Sequence, residues 1–185
     1  MIDRILNALI FAVTAVLMIR LMRKGKQEFL GALRFFTVLS NLLCALSALL
    51  MSLMPGNTAV WMLKYLGTVT VTVTMLTVFL FLAPSFGSLR PLLEGDNLFL
   101  HLLTPLAALI SFCGFERRGM SFGTAMWGLL PVLLYGMVYL QRIQSGRWED
   151  FYGFNKNGKW PVSFAAMAAG TFLVCVGLAA VQNIA

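Results

Sequence analysis

The sequence predicts an all-α integral membrane bundle of six transmembrane helices, and three observations carry that reading. Of the 185 residues, 59% are hydrophobic and 11% charged, against roughly a quarter charged in an ordinary soluble domain. The mean hydropathy is +0.85, with 15 Phe and 11 Met. That is more apolar surface than a core of this size hides, so much of it faces lipid. Finally, the apolar residues gather into six runs, each close to the roughly 20 residues that a helix needs to cross about 30 Å of hydrocarbon.

The first run, 5–22, precedes the cluster Arg20, Arg23, Lys24 and Lys26 and carries no small-residue cleavage site, so it reads as a retained anchor. The second covers 31–54 and the third 58–83. Within the third, Gly67-Thr-Val-Thr-Val-Thr-Val-Thr74 alternates with the period of a strand. A lone strand would leave its backbone unpaired in lipid, so helix is expected there. The fourth run is 97–115. In the fifth, 121–141, Pro131 should kink the helix and free the Trp127 carbonyl. The sixth, 161–182, carries the pairs Ala165/Ala169 and Ala166/Gly170, whose spacing suits close helix packing. Only 84–96 and 142–160 remain as substantial connecting pieces, so a single transmembrane domain over 1–185 is expected.

Charge placement gives an orientation. Arg20, Arg23, Lys24, Lys26, Arg34, Arg90, Arg142, Arg147, Lys156 and Lys159 lie in or beside the odd-numbered loops; Arg4, Lys64, Arg117 and Arg118 lie on the other side. The positive-inside rule then places loops 23–30, 84–96 and 142–160 in the cytoplasm and both termini outside. The net charge of +7 is accounted for by these helix-end residues and forms no stripe, which argues against a nucleic-acid partner. Cys44, Cys113 and Cys175 lie within apolar runs without metal-ligand spacing, so neither a disulfide framework, a metal site nor a cofactor is expected.

Polar groups inside spanning helices are costly and direct attention to two of them. In the second run Thr37, Ser40, Asn41 and Cys44 share one helix face, and in the fourth Asn97, His101, Thr104 and Pro105 do the same. Both runs enter from the odd-loop side, Thr37 about 9 Å and His101 about 6 Å below the entry point at 1.5 Å per residue. His101 is the only histidine, the one side chain whose ordinary pKa suits proton transfer near neutrality. Pro105 removes the amide that would bond the residue-101 carbonyl, and Asn97, one turn earlier, is placed to hold a ring nitrogen. Thr37 needs a base within hydrogen-bond reach to act as a nucleophile. Interhelical hydrogen-bond glue is the structural alternative for His101 and Asn41. Thr70, Thr74 and Thr77 read as structural, because a threonine hydroxyl bonds back to its own helix.

The segment Gly146-Arg-Trp-Glu-Asp-Phe-Tyr-Gly-Phe-Asn-Lys-Asn-Gly-Lys-Trp160 is aromatic and broken by glycines. It reads as an interfacial belt, or as a lid in which Trp148, Tyr152 and Asn155 meet substrate and Glu149 or Asp150 orients the base.

Taken together, Phe-Phe-Thr37-Val-Leu-Ser-Asn41-Leu-Leu, Asn97-Leu-Phe-Leu-His101-Leu-Leu-Thr-Pro105 and Trp-Glu-Asp-Phe-Tyr-Gly-Phe-Asn155 resemble the androgen-induced integral membrane hydrolases and their bacterial relatives. The resemblance covers most of the chain, and the Ser40-Asn41 pair looks like the bacterial branch. It implies a membrane-embedded threonine hydrolase in which Thr37 attacks an ester and His101 is the base; eukaryotic members act on fatty acid esters of hydroxy fatty acids. The expected function is therefore hydrolysis of an acyl (fatty acid) ester lipid at the cell membrane, with Ser40 or Asn41 donating to the oxyanion. The alternatives are a non-catalytic lipid-binding or carrier protein, and an acyltransferase working through Cys44.

Overall fold

The computed structural model describes residues 1–184. About 80% of the chain is helical, and no strand occurs among the described residues. Six helices are long and apolar enough to cross a membrane: Ile2–Lys24, Phe36–Leu53, Thr58–Phe86, Asp96–Phe115, Phe122–Gln144 and Trp160–Gln182. We number them spans one to six. Large apolar side chains such as Leu80, Leu134, Val162 and Leu173 point outward, as lipid-facing residues do. The alternating stretch in span three is helical. Its threonines meet the cost of hydroxyls in lipid by donating to carbonyls one turn back, Thr68 to Lys64 (2.9 Å), Thr70 to Gly67 (2.9 Å), Thr72 to Thr68 (2.7 Å) and Thr74 to Thr70 (3.1 Å).

The chain folds as two compact units, Met1–Arg118 and a second from Gly119 onward. In the first, span two packs between spans one and three, and span four closes the ring against the same two. Spans two and three touch at Gly67, where a Cβ would lie 2.9 Å from the Cys44 Cα and 2.7 Å from the Ser47 Oγ. At that level Ile10, Cys44, Ala48, Val71 and Ala108 form an apolar layer through the middle of the bundle.

Span two begins later than its hydropathy suggests. A short helix over Lys26–Ala32 ends in a turn, Phe35 is extended, and the spanning helix starts at Phe36. Arg34 therefore lies in the break, and Thr37 sits in the first turn of its helix.

Spans three and four share another departure, a single π turn over Val78–Leu82 and over Phe99–Leu103. Each is followed at the second position by proline, Pro84 and Pro105. With no amide on the proline, the ladder re-registers: Ala83 N–H donates to the Val78 carbonyl and Thr104 N–H to the Phe99 carbonyl.

In the second unit, span five is interrupted at Trp127–Gly128, between helices Phe122–Met126 and Leu129–Gln144. The break expected from Pro131 is present, one turn before the proline. The Trp127 carbonyl is not left free, since Leu130 N–H donates to it at 3.1 Å. The small-residue pairs of span six do not pack as expected. Ala165, Ala166, Ala169 and Gly170 are exposed, and close approach occurs instead at Gly136, against the side chains of Met167 and Phe164. Asn183 ties the end of span six to the start of span five, accepting from Met120 N–H (3.0 Å) and donating to its carbonyl (2.8 Å).

Candidate functional site

The polar faces of spans two and four meet at one point. Asn41 Nδ2 donates to the Thr37 carbonyl at 2.8 Å and to the Leu100 carbonyl at 3.1 Å; with both partners acceptors, the amide orientation is fixed. The π turn explains why Leu100 needs this donor. Its ordinary partner, Thr104 N–H, is taken by Phe99, and the next residue is Pro105, which has no N–H. A buried carbonyl without a donor costs about 1–3 kcal/mol, and Asn41 supplies one from the neighbouring helix.

One residue further on, His101 is buried, and its Nδ1 lies 2.6 Å from the Leu92 carbonyl. A carbonyl only accepts, so Nδ1 carries the proton and Nε2 keeps a lone pair. Leu92 belongs to a short helical turn, Arg90–Leu92, in the loop before span four. The ring is thus drawn back toward the loop side, the direction in which helical side chains lean. Asn97 does not hold the ring: its Nδ2 donates to the Pro91 carbonyl at 3.2 Å, because the Leu92 carbonyl already occupies the ring nitrogen. Arg20 pairs with Asp96 at 3.0 Å, joining the ends of spans one and four on the same side.

Thr37 is half-buried in the first turn of span two, about one turn nearer the loop side than Asn41. It is therefore shallower than its sequence position suggested, and Asn41 is the residue level with Leu100. No hydrogen bond joins Thr37 to His101 among the described residues. Ser40 and Asn41 are not spare donors for an oxyanion. Both Asn41 amide protons are engaged, and the Ser40 hydroxyl lies 3.0 Å from the Thr37 carbonyl and 2.8 Å from Thr74 Oγ1, so its one proton is used internally. Cys44 is fully buried in the apolar layer against Gly67.

The 142–160 segment belongs to the second unit and is organised around Tyr139. Asp150 accepts from the Tyr139 hydroxyl (2.9 Å), Phe154 N–H (2.8 Å) and Asn155 N–H (2.7 Å). Phe151, Tyr152, Phe154 and Trp148 surround the Tyr139 ring at 4.9, 5.3, 5.9 and 6.1 Å between centroids. Asp150 is thus an organiser of its own loop, and its oxygens are committed there. Glu149 is exposed, and the Asn155 Oδ1 is buried without a hydrogen bond.

A second polar cluster was not legible in the sequence. Lys64 and Glu116 stand near the ends of apolar runs, where they pass for topology charges, yet both are buried within the first unit. Glu116 Oε1 accepts from Asn7 Nδ2 at 2.6 Å and Ser111 Oγ at 2.5 Å, and its backbone carbonyl accepts from Trp61 Nε1 at 2.7 Å. The signal available was an acid and a base within helical runs; the meeting of Glu116 with Asn7 and Ser111 required the packing. Among the described residues no group of His, Cys, Asp and Glu is arranged to hold a metal ion. No protein-family model, curated protein or solved structure matches the chain.

Proposed function

We propose that the protein is a membrane-embedded hydrolase of acyl esters, with Thr37 as nucleophile and His101 as base. The observation that carries this reading is the His101–Leu92 hydrogen bond, which fixes the tautomer and leaves Nε2 as a proton acceptor on a buried ring. The motif resemblance to the androgen-induced membrane hydrolases supports the same two residues. Thr37 Oγ1 attacks the ester carbonyl carbon while its proton passes to His101 Nε2. The ester C–O bond then breaks, the leaving alkoxide takes that proton, and water repeats the sequence to release the acid. The Thr37 backbone N–H, in the first turn of its helix, replaces Ser40 and Asn41 as the expected oxyanion donor, a contact worth about 3 kcal/mol in barrier. An acyl substrate reaches this level from the leaflet beside loops 23–30 and 84–96, which the Lys and Arg distribution assigns to the cytoplasmic face of a cell membrane.

That no hydrogen bond joins Thr37 to His101 among the described residues favours a second reading, a lipid-binding or carrier protein that performs no chemistry. One experiment separates the two. Purified protein should hydrolyse a fluorogenic acyl ester and be labelled by a fluorophosphonate probe, and Thr37→Ala and His101→Ala should each abolish both. Labelling that survives in both variants overturns the threonine mechanism, while lipid retention without turnover in the wild type identifies the carrier.

A further inference from the structure

The turn before span four presents two consecutive carbonyls to that helix, and one side chain takes each. Within the turn, the N–H groups of Leu92 and Leu93 both donate to the Leu89 carbonyl at 3.0 Å, and Arg90 N–H donates to the Ser88 Oγ at 3.2 Å. No backbone N–H donates to the carbonyl of Pro91 or Leu92 among the described residues. Instead Asn97 Nδ2 donates to Pro91 at 3.2 Å, and His101 Nδ1 lies 2.6 Å from the Leu92 oxygen. Residues 97 and 101 are four apart and share one face of span four, so together they grip the turn. Asp96, beside Asn97, is paired with Arg20 of span one at 3.0 Å, which steadies the helix start from which Asn97 reaches. The two bonds differ in their surroundings. Leu92 and His101 are buried, whereas Pro91 and Asn97 are exposed, so water can replace the Asn97 amide with little change in stability. Water does not supply direction. The two carbonyls are joined only through the φ and ψ of Leu92, whose side chain is itself buried, and pinning the first therefore restricts where the second points.

We propose that Asn97 is a positioning residue for His101: by holding the Pro91 carbonyl it aims the Leu92 carbonyl at Nδ1, and so sets the tautomer in which Nε2 accepts a proton. Asn97 makes no hydrogen bond to the ring and acts through the turn alone. Its consequence for chemistry rests on the hydrolase reading above. A ring released from Leu92 also populates the Nε2–H tautomer, which has no lone pair on Nε2 for the Thr37 proton. The position requires an amide donor. A carboxylate of the same shape only accepts and cannot bond to the Pro91 carbonyl.

His101 is the only histidine in the chain, so nuclear magnetic resonance of the full-length protein in nanodiscs, labelled at its histidine nitrogens and held at a pH where the ring is neutral, reads this one ring directly. The wild type should carry its ring proton on Nδ1. In Asn97→Asp and in the uncharged Asn97→Leu, the ratio of Nδ1–H to Nε2–H should shift about fivefold towards Nε2–H, the change that one ordinary hydrogen bond makes to an equilibrium. Asn97→Gln, which keeps an amide donor, should restore most of the wild-type ratio. Melting temperatures should differ little across the series, and kcat for a fluorogenic acyl ester should fall with the Nδ1–H fraction at unchanged KM. A ratio unchanged in both Asn97→Asp and Asn97→Leu overturns the assignment, as does a wild-type ring protonated on Nε2. A lowered melting temperature with the ratio unchanged overturns it too, by marking Asn97 as a structural tie. The tautomer is read without substrate, so a shifted ratio in a protein that turns over no ester upholds the role of Asn97 and counts against the hydrolase reading alone.

Discussion

Replacing Asn41 with leucine tests the link between the proline, the π turn and the two-helix contact. In the wild-type background the substitution leaves the Leu100 carbonyl without a donor, since Thr104 N–H is bonded to Phe99 and residue 105 is proline. The Thr37 carbonyl keeps the Ser40 hydroxyl nearby, so the loss is concentrated on Leu100. Interhelical hydrogen bonds in membranes are worth about 0.6 kcal/mol on average and up to about 1.7, and an orphaned buried acceptor costs about 1–3. We take about 1–2 kcal/mol, which for a chain of this length lowers the melting temperature by about 2–8 °C. The informative comparison is the same substitution in Pro105→Ala. An amide at position 105 lets the Leu100 carbonyl find a donor within its own helix, so Asn41→Leu should then cost nothing. It should even gain slightly, because it removes the Asn41 Oδ1, which is buried without a partner. Unfolding can be followed with a thiol-reactive fluorophore that reports exposure of the fully buried Cys44. Equal losses in the two backgrounds would refute the assignment of Asn41 to the carbonyl that Pro105 orphans.

Two further outcomes are expected from the packing. Gly67→Ala should lower the melting temperature by several degrees, since its methyl meets Cys44 backbone at 2.9 Å and overpacking of this kind costs about 1–3 kcal/mol; Gly170→Ala, with nothing within 4 Å, should be neutral or slightly stabilising, and indistinguishable shifts would contradict the close approach of spans two and three. Asp150→Ala should speed proteolysis within 142–160 at unchanged helicity, because three donors lose their acceptor; an unchanged cleavage rate would show that the loop is held by its aromatic rings alone.

The six spans were readable from hydropathy because burying a backbone in hydrocarbon admits few solutions, and a long apolar run resolves as helix even where Thr68–Thr74 alternates like a strand. The break in span five was readable from Pro131 for an equally local reason. The start of span two was not: residues 31–35 set three apolar side chains around Arg34, a single charge that a hydropathy window averages away, and the turn before Phe36 has no other signature that such a window detects. The outward direction of Ala165 and Gly170 was likewise illegible, since small residues permit close packing without specifying a partner.

For the candidate site, the residue types could be named from the sequence and their relations could not. In so apolar a chain, Thr37, Asn41 and His101 stand out because each polar side chain in a span needs a reason to be there. What holds His101, however, is the backbone carbonyl of Leu92, and backbone atoms carry no residue-specific signal. The same limit hid the role of Asn41, which answers a carbonyl orphaned by a proline on another helix, and the hydrogen bond from Asn7 to the Glu116 carboxyl between spans one and four. Composition and period determined that this chain is a membrane bundle and which few polar residues it carries inside. Tertiary structure decided which of them meet, because a buried donor or acceptor is satisfied by whatever lies within about 3 Å, and in a bundle that neighbour comes from a distant part of the chain.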